Sequence, residues 1–336
     1  MSETRQTAGW AAGLLCDRSS FAIAPEPAYG ELPSSVFQRL RLSGVSLALS
    51  QERAYPDERN PQAVRAPGVT SQINGSGTLK GLLSFGSLDL LLAGALGSSW
   101  RKGSITNGTT RHSWALRQRL GEGWLYRKGM VIRSLTLTVS QGGFVEVSCE
   151  VIYARESVIS EDAAAPDDPP PSRAALCSSE ARLDLTLHGL ISPGVVRSIS
   201  LTLGRSGATL DFGAGSPFAH DVRLGLFSAS ASIEVMLRGH DAYEALLSSA
   251  VGPLSLSVID RDGYGYAIAF PKAVISNPHV NASGRGTVLM AAFDIEAQPG
   301  SVSGGSISVS MIQPDGYQLI AVNQEPILNN NQTISP

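Results

Sequence analysis

Apolar and polar residues alternate along much of the chain. VSLAL (45–49), SLTLTV (134–139), FVEVSCEVIY (144–153), SISLTL (198–203) and VLMAAFDIEA (288–297) each put every second side chain on one face, the pattern of a half-buried strand. The chain is therefore expected to be mainly β. In LSLSVIDRDGYGYAIAF (254–270), Asp262-Gly263 sits between two such runs; a tight turn favours residues that tolerate positive φ, so a hairpin is predicted there. One stretch breaks the alternation, GLLSFGSLDLLLAGALG (81–97), and it is too short and too glycine-broken to span a bilayer. At helical spacing Leu88, Leu91, Leu92, Ala95 and Leu96 share a face, with Ser87 placed to cap the start and Gly97 the end, which predicts one short packed helix.

Slid against itself, the chain carries the same order of elements twice. Val45, Leu47 and Leu49 correspond to Ile199, Leu201 and Leu203 at an offset of 154, and Ile73, Leu79 and Leu83 to Phe227, Ile233 and Leu237 at the same offset. A one-residue slip would turn every side chain to the other face, so the shared phase carries weight. The helix returns at an offset of 155, predicting a second one over DAYEALLSSAVG (241–252). Beyond it, an ungapped offset of 143 makes Val131, Ile132, Ser140, Gly143, Val145, Ile152 and Ala154 identical to Val274, Ile275, Ser283, Gly286, Val288, Ile295 and Ala297. The expectation is two β-sandwich modules, 37–154 and 181–298, each with one short packed α-helix. An N-terminal arm (1–36) precedes them, an acidic Pro/Ala-rich linker or insertion (155–180) with nothing periodic to bury joins them, and a C-terminal hairpin and polar tail (299–336) follows.

Composition and charge then narrow the chemistry. An apolar content of 43% over 336 residues can fill a core, and a net charge of -3 excludes the basic excess that gripping phosphates requires. Cys16, Cys149 and Cys177 are odd in number and far apart, which favours reduced thiols over a disulfide framework or a metal knuckle. The N-terminal residues hold no apolar run long enough for a signal peptide, so folding in a cytosol is expected. His112, His188, His220, His240 and His279 are isolated and none has metal-ligand spacing. No nucleophile elbow or Walker loop occurs, and GSGTLKG (75–81) lacks the ending that would cradle phosphate. Asp260 and Asp262 resemble half of a calcium loop, but the hairpin turn accounts for both. Glu161, Asp162, Asp167 and Asp168 could bind a divalent cation, yet the adjacent prolines favour a solvated loop. The reading is of a protein that is not an enzyme and needs no metal or cofactor.

Five features follow one another in the first half: the AYG turn at Tyr29, the mixed-charge loop with Glu52, Asp57, Glu58 and Arg59, the glycine-serine strand at 74–77, the helix ending LLAGALG, and NGTTRHSW at 107–114. In this order they resemble the tail tube proteins of long non-contractile (siphophage-type) bacteriophage tails, over residues 22–154 with a weaker continuation to 297. The resemblance implies a structural virion protein that polymerises as stacked rings into the tail tube, assembled in the bacterial cytoplasm and serving as the conduit for DNA ejection. It implies self-association, contacts with the tape measure, tail terminator and tail tip proteins, DNA passing through the lumen without specific binding, and no membrane. Tubes of the family are built on six-fold symmetry from single sandwiches, so a two-copy chain is expected to form trimeric, pseudo-six-fold rings, with a hexameric ring as the alternative. The loop QERAYPDERNPQAVRAP (51–67) mixes both charge signs and is the candidate for ring-to-ring contact, through Arg53, Asp57, Glu58, Arg59 and Arg65; its counterpart at 204–221 is nearly uncharged. The rival classes are a hydrolase on a β scaffold and a carbohydrate-binding β-sandwich adhesin of a virion. The adhesin reading expects clustered exposed aromatics, whereas aromatics are 6% of this chain and scattered.

Overall fold

The computed structural model describes residues 19–59, 61–62, 64–120, 123–159, 167–179, 182–187, 190–191, 194–237, 251–281, 288–301 and 305–314. The protein is mainly β. Its first part contains β1 (Phe21–Pro25), β2 (Phe37–Arg39), β3 (Leu42–Ala54), β4 (Val69–Leu82), α1 (Asp89–Leu96), β5 (Ser104–Thr106), β6 (Trp114–Leu120), β7 (Gly123–Ser140), β8 (Glu146–Tyr153), β9 (Arg155–Ile159) and β10 (Asp167–Asp168). The second contains β11 (Arg182–Leu187), β12 (Leu190–Ile191), β13 (Gly194–Ser206), β14 (Thr209–Asp211), β15 (Asp221–Arg223), β16 (Leu226–Leu237), β17 (Val251–Ile259), β18 (Gly265–Asn281), β19 (Met290–Gln298) and β20 (Ser308–Ile312). The predicted hairpin joins β17 to β18, where Gly263 takes φ +85° and Asp260 closes the turn by accepting the Tyr264 N–H on its carboxylate.

The strand pairing repeats. In the first copy β3 pairs with β4, β4 with β8 and β8 with β7; in the second β13 pairs with β16, β16 with β19 and β19 with β18, all antiparallel. Each copy also has an outer sheet, β1–β6–β7–β9 in one and β11–β17–β18–β20 in the other. The long strands β7 and β18 belong to both layers, outer in their first half and inner in their second. Even an irregularity recurs: the β6–β7 ladder shifts register between Trp114 and Leu116, and the β17–β18 ladder between Gly252 and Leu254. β7 bends between layers at Gly129, with φ +66°, where an added Cβ would lie 2.9 Å from both the Tyr29 ring and the Ala154 Cβ. Glu26 holds this corner by accepting the Gly129 and Gly30 N–H groups at 2.7 and 2.9 Å, which gives the AYG turn its structural role.

Register corrects one detail of the internal alignment. β7 maps onto β18 at the offset of 143, but the inward residues Val147, Cys149 and Val151 of β8 correspond to Ala291, Phe293 and Ile295 of β19, an offset of 144. The ungapped run of identities conceals one additional residue before β19, because matching letters do not encode which face a side chain takes.

The helix is in place over Asp89–Leu96 and ends as expected, with Gly97 left-handed at φ 63° and its N–H on the Ala93 carbonyl. Its start differs. Ser87 does not cap it; the hydroxyl closes a tight turn with Ser84 instead, donating to the Ser84 carbonyl at 2.8 Å. The helix is buried on nearly every side, because the second copy covers the face that a lone sandwich would leave to water. Tyr266 of β18 donates to the Asp89 carboxylate at 2.6 Å while its oxygen accepts the Gly86 N–H at 2.8 Å, and Arg205 of β13 donates to the Leu96 carbonyl at the other end. The predicted second helix, 241–252, lies outside the described residues except for Val251 and Gly252, which open β17.

Burial raises the Asp89 carboxyl from 3.8 to about 6, against the lowering effect of the Tyr266 hydrogen bond. Between roughly pH 4 and 6 the folded chain thus keeps a proton that the unfolded chain has released, so stability falls as pH rises through that window, by on the order of 2 kcal/mol. Asp89→Asn retains an acceptor for Tyr266 and is expected to flatten this slope. Thermal melts of both proteins from pH 4 to 7 check it, and an unchanged slope in the variant would exclude Asp89 as its source.

The segment 155–180 is not the featureless linker expected. β9 pairs with β7, and Leu176 is buried, inserted between Leu83 and Val145 by backbone hydrogen bonds of 2.8 Å on each side. Asp167 pairs with the buried Arg117, whose guanidinium also lies over the Phe37 and Trp124 rings. Hence Asp167 serves an arginine rather than a cation; Asp168 is exposed, and Glu161 and Asp162 lie outside the described residues. Within the expected N-terminal arm, β1 is a buried strand of the outer sheet. Of the expected C-terminal hairpin, β20 is described, and it pairs with β18 and β5.

Candidate assembly surfaces

The two copies meet edge to edge. β13 lies antiparallel beside β7, with Ile199 opposite Val139, Leu201 opposite Leu137 and Leu203 opposite Leu135, and Thr202 and Thr136 sharing a 3.3 Å hydroxyl contact. This joint makes one inner sheet of eight strands in the order β3–β4–β8–β7–β13–β16–β19–β18. Its two end strands are the equivalents of the two strands that meet in the middle: β3 matches β13, and β18 matches β7. Among the described residues β3 pairs with β4 alone, and the last residues of β18 with β19 alone.

Burial records the difference between a joined edge and an open one. Ile199, Leu201 and Leu203 are at most 1% exposed, whereas their equivalents Val45, Leu47 and Leu49 are half-buried. Leu137 is buried at the joint, and its equivalent Val280 is half-buried. The same apolar residue types occupy both sites, so what the first set lacks is a neighbour.

The outward face of the inner sheet is polar. A row across it reads Glu146, Thr138, Ser200, Ser232, Asp294 and Ser276 in paired register. Short hydroxyls and acids dominate this face; Lys80 stands there against Glu150, Glu234 and Glu296.

Of the sequence-predicted assembly residues, Arg53 lies near the end of β3, and Asp57, Glu58, Arg59 and Arg65 lie on the arm between β3 and β4. Arg53, Asp57, Glu58, Arg59 and Arg65 are all exposed. The arm's contacts are local: Arg53 donates to the Gly68 carbonyl at 3.1 Å and Arg65 stacks over Tyr55 at 3.5 Å. The structure gathers these charges on one projection without giving them a partner surface. The glycines of the neighbouring strand have a steric origin, since a Cβ on Gly75 would lie 2.3 Å from the Tyr153 ring. NGTTRHSW binds the copies together: Asn107 accepts the Ser306 N–H at 2.8 Å, the Gly108 N–H reaches Leu96 at the helix end, and Arg111 pairs with Asp221 at 3.2 Å. The side chains that lock copy to copy, Arg205 and Tyr266, were not singled out from the sequence, where nothing local marks them.

A closed cavity of about 20 Å³ between the copies is lined by residues such as Leu137, Ile199, Leu256 and Tyr266. A shallow recess of about 470 Å³ lies beside the β7–β8 turn, among Gln141, Ser178, Leu185 and Arg197. Among the described residues no group of three or more His, Cys, Asp or Glu could hold a metal, and no helix is long and apolar enough to cross a membrane. His112 stacks on Trp114 and bonds the Ser98 carbonyl, and burial lowers its pKa. Burial pushes the Cys149 thiol far up, and neither Cys149 nor Cys177 forms a disulfide among the described residues.

A family model described as phage tail tube protein matches residues 17–297. No curated protein sequence matches the chain.

Proposed function

Because this chain belongs to the phage tail tube protein family, and is thus a structural protein of the virion tail, we propose that three chains close into each ring of the tube. The observation that carries this reading is the internal β7–β13 joint, which supplies a template for the external one. β18 of one chain would pair with β3 of the next as β7 pairs with β13, placing His279 opposite Ala48 just as Thr136 lies opposite Thr202. The joint is heterologous and closes by rotation, and after three chains six alike copies complete the circle. Its driving force is the covering of Val45, Leu47 and Leu49 together with a ladder of backbone hydrogen bonds at otherwise open edges. Stacked rings would form the conduit, closed at its ends by terminator and tip proteins and filled before ejection by the tape measure protein.

In such a ring the Ser/Thr-rich, mildly acidic face of the inner sheet lines the lumen. A lumen of that chemistry repels phosphate weakly and offers few cations to hold it, which suits DNA that must leave quickly. The siphophage-type tail follows from the resemblance noted in the sequence. The test is a cysteine pair, Ala48→Cys with His279→Cys, in a chain whose Cys16 and Cys177 are serine. Opposed strand positions bring Cβ atoms to roughly 5 Å, so oxidation is expected to link chains into a covalent series ending at three. Electron microscopy is expected to show three chains per ring; six two-copy chains per ring, or no cross-link within intact tubes, would refute the model.

A further inference from the structure

The arm between β3 and β4 has a counterpart whose position is known. The β13–β16 connection, residues 207–225, carries β14 and β15 and folds back over the first copy. There Phe218 bridges to Ile73 in parallel, the Ile73 N–H donates to the Pro217 carbonyl at 2.8 Å, and Ala208 and Val222 pack on Val131 and Ile152. Arg155 lies over the Phe218 ring at 5.3 Å. The surface beneath is consequently dry: Ile73 is 9% exposed and Val131 4%.

Both strands flanking the two connections hold the 154 offset, so position can be carried across. By that offset Val64 corresponds to Phe218 and Phe227 to Ile73, and by the offset of 143 Val274 corresponds to Val131. The first-copy arm exposes Val64 at 59% and Tyr55, under the Arg65 guanidinium, at 38%, and Val69 at the start of β4 is 67% exposed. At the matching place the second copy has Phe227, packed against the core with Arg205 over its ring, and Val274, with Glu296 where Ile152 stands in the first copy. Phe227 and Val274 are half-buried, and beside them Leu226 is 84% and Val251 53% exposed. One chain thus displays an arm with an exposed apolar side chain and, on its other copy, exposed apolar residues at the place equivalent to the one on which that arm's counterpart rests.

We propose that the 55–68 arm of each chain lies sideways over the second copy of its neighbour in the same ring, with Val64 against Phe227. This rests on the ring reading above, and it assigns the arm to lateral closure rather than to stacking. The partner is a second copy of this chain. Both charge signs are present on each side, Asp57, Glu58, Arg59 and Arg65 on the arm and Lys272 and Glu296 on the floor, so ion pairs at the rim can fix the register.

The test places cysteines at Val64 and Phe227, again with Cys16 and Cys177 as serine, and oxidises assembled tubes. Val64→Cys with Leu226→Cys is the second pair, in case loss of the Phe227 ring impairs folding. The expected result is a covalent series that stops at three chains, as for the Ala48/His279 pair. A series continuing past three chains would place the arm on the next ring and overturn the proposal. So would tubes in which Ala48/His279 links and neither arm pair does. If Ala48/His279 itself fails to link, the ring reading is what falls. Independently, Val64→Asp, exposed in the free chain, is expected to leave the melting temperature unchanged and raise the concentration needed for polymerisation about tenfold.

Discussion

Leu47→Lys is expected to give a folded chain that forms no tubes, while Leu201→Lys, the same change at the equivalent position of the other copy, is expected not to fold. The two leucines differ in surroundings rather than in kind. Leu201 is 1% exposed between β7 and β16, and an ammonium there would be buried without a partner, at a cost of several kcal/mol against a total stability of about 5–15. Leu47 is half-buried on an open edge, so a lysine stem can lie along the apolar face with its charge in water. Pairing with a neighbour's β18 would remove that water. An inward-pointing lysine on an edge strand is also a device by which natural sheets avoid edge-to-edge association. Loss of about 3 kcal/mol per joint raises the polymerising concentration roughly a hundredfold. Circular dichroism melts, sedimentation and negative-stain imaging of both variants measure the contrast. Normal tubes from Leu47→Lys would show that the β3 edge plays no part in closure.

What was legible in the sequence is what repeats at short range. Alternation located the main strands, Asp262-Gly263 located a turn, and the 154 offset survived because each strand pair kept its inward phase. The 143 offset failed across β8 for the converse reason: identities at Ile152 and Ala154 matched letters on opposite faces. Segment 155–180 was read as solvated because its prolines and acids have no period, yet Leu176 and Asp167 are fixed by single insertions into distant elements, and one residue has no periodicity to detect. Asp89 and Tyr266 lie 177 positions apart, and Arg205 reaches Leu96 across 109. Such pairs exist only because the copies share a core, and neither copy alone hints at its partner. The charged arm stands out in the sequence only by its mixed charge. Its direction became arguable only when its counterpart was seen folded down.

Asp167→Ala is expected to be among the most destabilising single changes in the chain, by about 3–5 kcal/mol, because it removes the carboxylate that neutralises a buried arginine. Arg117 has a side-chain exposure of 2% and Asp167 of 4%, and the Arg117 Nε donates to Asp167 at 2.9 Å while a second guanidinium nitrogen bonds the same oxygen. Arg39 contributes a further bond of 3.1 Å from the exposed side. The pair fastens β10, which also runs parallel beside β2, to β6 and, with Leu176, ties the segment after β9 across the first copy. The expected drop in melting temperature is on the order of 5–10 °C. If desolvation of the guanidinium left without that carboxylate is the cause, removing both charges should cost less than removing one. Arg117→Met combined with Asp167→Leu should therefore recover most of the loss, since the methionine can still pack between Phe37 and Trp124. A double variant as unstable as Asp167→Ala would instead assign the loss to the anchoring of the segment. In that case Leu176→Ala, which loosens the same segment without touching a charge, should destabilise by a similar amount.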